Sequence, residues 1–248
     1  MRLAIIGGSG YSFAGAATRF EEVTTPYGVA AIVHGNIGGV DTIFMYRHGA
    51  GHTLPPHRIN YRANIWALRE LGVTGIIATN AVGSLQPALL PGSLVLPDSF
   101  LDFTSGRPST FYDGSDGIVE HVDVTAPYCA TLRGAMHIAA GTAALTVTEG
   151  CYVCTNGPRY ETAAEVRAFA QLGGYVVGMT GVPEVVLARE AGICYASICL
   201  VTNLGAGISG DKLAHAEVLK VMSSGGLHLR AIIAAVVGLA GSMRCKRC

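Results

Sequence analysis

Five short polar clusters carry the chemistry this sequence can offer: Gly7-Gly8-Ser9-Gly10, Arg47-His48, Asn80-Ala81, Met179-Thr180 and Asn203. Each directly follows an apolar, strand-like run. Ligands of open α/β sheets bind outside the carboxyl ends of the strands, so the five clusters are expected to converge on one rim. One cation, several hydroxyls and glycine-adjacent amides suit an oxyanion. The glycine loop permits close backbone approach and positive φ, and with the Ser9 hydroxyl it could cradle a phosphate. It matches neither a Walker A loop nor a GxGxxG fingerprint, so nucleoside triphosphates and dinucleotides are not supported. Arg47 supplies the planar fork that fits a phosphate, and His48 a second donor. His52 and His57 read as solvated loop histidines, because no carboxylate or thiol accompanies them at a zinc-ligand spacing.

The elements that position these residues alternate between short strands and helices, with no repeat or low-complexity linker. Strands are expected at 3–6, 42–46, 75–79, 94–96, 152–155, 175–178 and 193–202. A helix is expected over 60–71, closed by Gly72, and another over 130–140. Thr162-x-x-Glu165 forms a capping box opening a third helix to about Leu172. Pro183 suits the first turn of a helix running to Ala191. Two further helices are expected from about Asp211 and from about Gly225. Residues 97–123 read as a long surface excursion, and loops of that length tend to be functional.

Composition bounds the rest. The chain has 248 residues, with 17 Lys+Arg balanced by 17 Asp+Glu, 14% charged and 50% hydrophobic residues, and 33 Gly. Zero net charge leaves no electrostatic footprint for nucleic acid or an anionic membrane, so the partner is expected to be a small molecule. The apolar excess raises the question of a membrane, but the longest apolar candidate, 231–241, falls short of the roughly 18 residues a span requires. No signal-peptide pattern follows Met1, and the seven cysteines are odd in number and scattered. A cytoplasmic protein with reduced thiols is the expectation. Cys151-x-x-Cys154 lies in a strand, where residues three apart face opposite ways, so it reads as core rather than metal site. Cys245-x-x-Cys248 leaves a local disulfide or adventitious metal open.

With these residues assembled, the sequence resembles the trimeric purine nucleoside phosphorylases, nearest the methylthioadenosine phosphorylase branch. The resemblance rests on Gly7-Gly8-Ser9-Gly10, Arg47-His48-Gly49, the run from Asn60 to Leu68, Asn80-Ala81-Val82-Gly83-Ser84, Phe111-Tyr112-Asp113-Gly114, Gly157-Pro158-Arg159-Tyr160-Glu161-Thr162 and Gly178-Met179-Thr180-Gly181-Val182-Pro183-Glu184. It implies one α/β domain over 1–248, with a mixed, twisted, partly barrel-like central sheet flanked by helices. It also implies reversible phosphorolysis of a purine nucleoside to free base and pentose 1-phosphate. By that likeness Ser9, Arg47, His48, Asn80, Ala81 and Thr180 hold phosphate, Met179 packs under the ribose and Tyr160 stacks on the base. His121 would reach the neighbouring subunit's site, making the active unit a homotrimer, with pairing of trimers into a hexamer left open. Phosphate is a co-substrate, and neither metal nor organic cofactor is expected.

Three positions bear on the substrate. Where the methylthioadenosine enzymes carry a pair of aspartates, this chain has Asn203-Leu204-Gly205, and Asn203 resembles the asparagine of 6-oxopurine enzymes. Its amide can donate to O6 while its carbonyl accepts from N7–H. Glu161 resembles the glutamate that accepts from N1–H, which adenine lacks. Asn203, Glu161 and His48 are therefore the expected catalytic set. His215 resembles the histidine that meets a 5′-hydroxyl. Inosine and guanosine are the expected substrates, with methylthioinosine and methylthioadenosine as alternatives.

Overall fold

The computed structural model describes residues 1–11, 16–210 and 215–245, with the backbone alone for Ala16 and His215. Its strands are β1 (Leu3–Gly7), β2 (Ala16–Thr25), β3 (Gly28–Ile37), β4 (Val40–Tyr46), β5 (Gly75–Ser84), β6 (Leu94–Phe103), β7 (Val147–Thr155), β8 (Gly174–Gly178) and β9 (Cys194–Leu204). The helices are α1 (Tyr61–Glu70), α2 (Ala130–Thr142), α3 (Ala163–Gln171), α4 (Gly181–Glu190) and α5 (His215–Gly238).

All nine strands join one sheet in the order β2-β3-β4-β1-β5-β8-β7-β6-β9. Because β9 also pairs with β5, the five strands from β5 to β9 close on themselves. The remaining four extend from that closure as an open wing. Pairing is mixed: β1 runs parallel to β4 and β5, while β3 and β4 are antiparallel. This is the mixed, partly barrel-like sheet the resemblance implied.

Period-two alternation divides the core. Ala4, Ile6, Ile76 and Ala78 face a cluster with Ile65 and Leu68 of α1 and Val185 and Leu187 of α4. Their neighbours Leu3, Ile5 and Ile77 face a second cluster with Leu132 and Met136 of α2 and Ile233 and Val236 of α5. Strands buried on both faces read as unbroken apolar runs, which is why β1, β5 and β9 are legible in sequence.

Local signals hold where side chains cap the backbone. Asn60 accepts from the Ala63 amide to open α1, and Gly72 adopts φ 69° after its end. Thr162 and Glu165 exchange both bonds of the capping box. Pro183 starts the regular part of α4, since Val182 before it is non-helical.

Four expectations change. The β2–β3 hairpin was not anticipated, because β2 is a largely exposed edge strand held by an Arg19–Glu21–His34 cluster rather than by apolar alternation. β6 continues through Pro97 to Phe103, with its register against β7 shifting between Pro97 and Phe100, so the irregular excursion begins after Phe103. A proline interrupts a strand less at such an irregularity, where a ladder bond is missing anyway. Asn80, Ala81 and Asn203 lie inside their strands rather than after them.

The fourth concerns α5, one helix where two were expected. Gly225 does not break it: a Cβ there would come within 2.6 Å of Leu200 Cδ2, so the glycine serves the crossing of α5 over β9. Residues Ala216–Gly238 are long and apolar enough to cross a membrane by length and composition. In this fold Leu229, Ile232, Ile233, Val236 and Val237 of that stretch are buried in the core.

Candidate active site

The strand ends meet around a cavity of about 440 Å³. Its wall includes Ser9, Arg47, His48, Asn80, Ala81, Tyr160, Glu161, Met179, Thr180 and Asn203, so ten of the expected site residues are brought together. The volume is in the range of small-molecule sites.

On the anion side, β1 runs into Gly8, whose amide donates to Thr79 Oγ1 at 2.9 Å. A Cβ on Gly8 would lie 2.5 Å from the Thr79 carbonyl oxygen and 2.8 Å from Arg47 Nη1, so only glycine lets this loop sit against β5. Arg47, 1% exposed, is held by three bonds: Nε and Nη2 to the two oxygens of Glu184, each at 2.7 Å, and Nη1 to the Thr79 carbonyl at 2.8 Å. Tyr195 donates to the same carboxylate at 2.7 Å. The expectation that the planar fork grips phosphate therefore changes. Glu184 occupies the fork, leaving one N–H on each terminal nitrogen of a guanidinium that lines the cavity. Burial opposes the charge on Arg47, but the Glu184 carboxylate more than compensates and raises its pKa further.

His48 also departs from its expected part as a donor. Its Nδ1 lies 2.8 Å from the Leu54 carbonyl, an acceptor, so Nδ1 carries the proton. Burial drives its pKa down to about 4, with Arg47 and His52 adding to the effect against the Leu54 bond. The neutral ring thus has a lone pair at Nε2. His52, its ring tilted 35° against that of His48 with centroids 4.2 Å apart, lies 3.5 Å from the Ser9 hydroxyl and lines the cavity. It belongs to the site rather than to solvent alone, while His57 stays outside the wall.

Asn80 ties two walls together, donating to Ser197 Oγ at 2.6 Å and accepting from Thr180 Oγ1 at 2.9 Å. On the base side, Glu161 accepts from Thr155 Oγ1 at 2.7 Å, and partial burial raises its pKa. Asn203 owes its position to a bulge. Val82 pairs with Val201 but Gly83 pairs with Asn203, so Thr202 is an extra residue in β9. Thr202 and Asn203, adjacent in sequence, both line the cavity, and the extra residue sets the register at which Asn203 meets Gly83. The Thr202 hydroxyl lies 3.2 Å from the Val82 carbonyl and 3.0 Å from Asn203 Oδ1, pinning the amide.

One expected residue stands apart, and one is not described. His121 is exposed and away from this cavity, and the His215 side chain lies outside the described residues. Val218, nearly one turn further along α5, lines the wall.

Three contributors escaped the sequence: Glu184, His52 and Arg107. Arg107 donates to the carbonyls of Val182 and Met179 at 2.7 and 2.8 Å, and to those of Asn156 and Thr155 at 3.0 and 3.3 Å. It staples the segments that carry Glu161 and Met179. A lone arginine in an irregular segment gives no sequence signal for this, although Glu184 closed a quoted motif.

The wall thus joins a cation with hydroxyls to a carboxylate with an amide, within reach of one ligand carrying both an anion and a polar ring.

The comparisons with known proteins agree with this arrangement. Residues 2–238 match the family model described as the phosphorylase superfamily. The chain is 51% identical over 245 residues to a 6-oxopurine nucleoside phosphorylase of Pyrococcus furiosus, covering 96% of this chain and 92% of the relative. It is 54% identical over 220 residues to a probable S-methyl-5′-thioinosine phosphorylase of Methanopyrus kandleri, covering 88% and 84%. Among solved structures it is similar to methylthioadenosine phosphorylase from Schistosoma mansoni in complex with adenine, with a TM-score of 0.93, 37% identity, and 98% and 92% of the two chains covered.

Proposed function

The chain belongs to the phosphorylase superfamily, and from that premise we propose that it catalyses reversible phosphorolysis of 6-oxopurine nucleosides, inosine and guanosine, to free base and pentose 1-phosphate. The observation that carries the reading is the single cavity shared by Arg47, Ser9 and Thr180 with Glu161 and Asn203.

Cleavage of the glycosidic bond passes through an oxocarbenium-like state, positive on the sugar and negative on the departing purine. Phosphate is both the nucleophile and the counter-charge to the sugar. The remaining Arg47 N–H groups and the Ser9 and Thr180 hydroxyls hold it. Thr180 rotates its proton from Asn80 toward the anion. Neutral His48 accepts from the hydroxyl of monohydrogen phosphate, which fixes that oxygen away from the attack. Negative charge developing on the purine is met by Asn203, which has one amide proton beyond its bond to the Leu204 carbonyl at 3.0 Å. Glu161, its carboxylate supported by the Thr155 hydroxyl, accepts from N1–H. A 6-amino purine has no such proton and would leave the glutamate unpaired, a mismatch that discriminates strongly. Neither metal nor organic cofactor enters this scheme.

The same reading takes the active unit as a homotrimer with His121 serving a neighbouring site. Ile118 and Val119, 52% and 69% exposed three and two residues before it, support an interface there.

A second reading, methylthioinosine phosphorolysis, is favoured by apolar Val218 in the wall contributed by α5. One assay separates them: base release from inosine, guanosine, adenosine, methylthioinosine and methylthioadenosine, with and without phosphate. Release independent of phosphate refutes phosphorolysis, and methylthioinosine outpacing inosine selects the second reading.

A further inference from the structure

Three cysteines distant in sequence converge at the start of β9, the opposite end of that strand from Asn203. Cys129 directly precedes α2, Cys194 begins β9 and Cys245 follows α5. Their sulfurs all lie within 4.8 Å of one another, with Cys129 and Cys245 separated by 3.7 Å. Cys129 and Cys194 are buried and Cys245 is half-buried. None of them lines the active-site cavity.

We propose that Cys129, Cys194 and Cys245 form a thiolate site for a soft closed-shell cation, zinc(II) or copper(I). Thiolate sulfurs bind one zinc at about 2.3 Å, so ligands sharing an ion sit on the order of 4 Å apart. The three sulfurs already have that spacing. The Cys129–Cys245 pair at 3.7 Å stands well outside the roughly 2.05 Å of a sulfur–sulfur bond.

Two ligands are preorganised by the backbone. The Cys129 amide donates to the Tyr195 carbonyl at 2.7 Å and the Cys194 amide to the Thr74 carbonyl at 3.2 Å, so both are fixed to strand β9 and its neighbours. Cys129 also stands at the positive end of α2, which favours a thiolate. Arg244 precedes Cys245 in sequence, and Lys246 and Arg247 follow it. Cys129 and Cys194 belong to the apolar core cluster that also holds Leu132, Ala135 and Ala196, and a set of sulfur donors selects soft ions over magnesium or calcium. Cys248, outside the described residues, stands at the two-residue spacing of zinc-binding pairs. Binding involves no electron transfer: each ligating thiol yields its proton to solvent, so affinity rises with pH.

The test titrates reduced protein anaerobically with cobalt(II), then zinc(II), and separately with copper(I) against a chelator. One equivalent per chain is expected, with sulfur-to-cobalt charge-transfer absorption that zinc displaces. Tighter retention of zinc or of copper(I) assigns the ion. The absorption should vanish in Cys129→Ser, Cys194→Ser and Cys245→Ser and persist in Cys151→Ser. Cys245→Ser, at a half-buried position beyond the last helix, should keep its circular dichroism and phosphorolysis and so separates ligation from folding. Three outcomes overturn the proposal: no stoichiometric binding by the reduced chain, binding that survives Cys245→Ser, or a disulfide joining two of the three in protein alkylated at cell lysis.

Discussion

Glu184 clasps the Arg47 guanidinium with both carboxylate oxygens, at 2.7 Å each, and neither side chain is more than 1% exposed. The pair spans 137 residues of sequence and ties α4 to the end of β4. A buried arginine without its carboxylate would be costly, and it would also turn away from the cavity.

Glu184→Gln should therefore act twice. Breaking a buried pair by neutralising one partner costs about 3–5 kcal/mol, which urea denaturation reads as a lowered midpoint. The apparent KM for phosphate should rise more than that for nucleoside. An unchanged phosphate KM in folded variant would mean that Arg47 does not serve the anion.

The pH dependence follows from His48. Its folded pKa, about 4, lies below the ordinary imidazole value of 6.5. Below pH 6.5 the unfolded chain takes up a proton that the folded chain refuses, so the stability is full above that pH and is lost as pH falls toward 4. The loss is on the order of 3 kcal/mol. Denaturation free energies measured from pH 7 to pH 4 should show this slope in the native protein and a flatter one in His48→Asn.

Base selection rests on Glu161 and Asn203. Glu161→Gln should lower kcat/KM for inosine by about a hundredfold or more, because an amide can place a donor against N1–H. Asn203→Asp should raise the adenosine-to-inosine ratio of kcat/KM. Steady-state assays with the two nucleosides check both, and an unaltered ratio in Asn203→Asp would remove Asn203 as the base reader.

Gly8→Ala places a Cβ 2.5 Å from a backbone oxygen that cannot move aside. The loop must shift from β5, so phosphate affinity should fall at least tenfold, about 1.4 kcal/mol. Isothermal titration with phosphate measures this directly.

How much of this was legible depended on whether a residue's role was local. The capping box at Thr162, the Asn60 cap and the doubly buried strands announce themselves over a few residues. The resemblance gathered ten residues that the cavity does bring together. Partnerships across the fold were not legible: the Arg47 fork met Glu184 instead of an open anion site, and the His48 donor was spent on Leu54. Edge strand β2 was missed because exposure weakens its apolar alternation. Gly225 misled because a glycine that permits close packing reads the same as one that ends a helix.

The extra residue at Thr202 has a bearing on how substrate preference can evolve. Asn80 and Asn203 stand on paired strands, so the span between the phosphate end and the base end is metered in steps of about 3.3 Å. A loop would allow that span to drift by small increments; a ladder does not. Insertion or loss of one residue in β9 before Asn203 would move the amide a whole step and reverse its face. New specificities in this scaffold should accordingly arise by exchanging side chains on a fixed ruler, as Asn for Asp, while the ruler's single uneven division stays where it is.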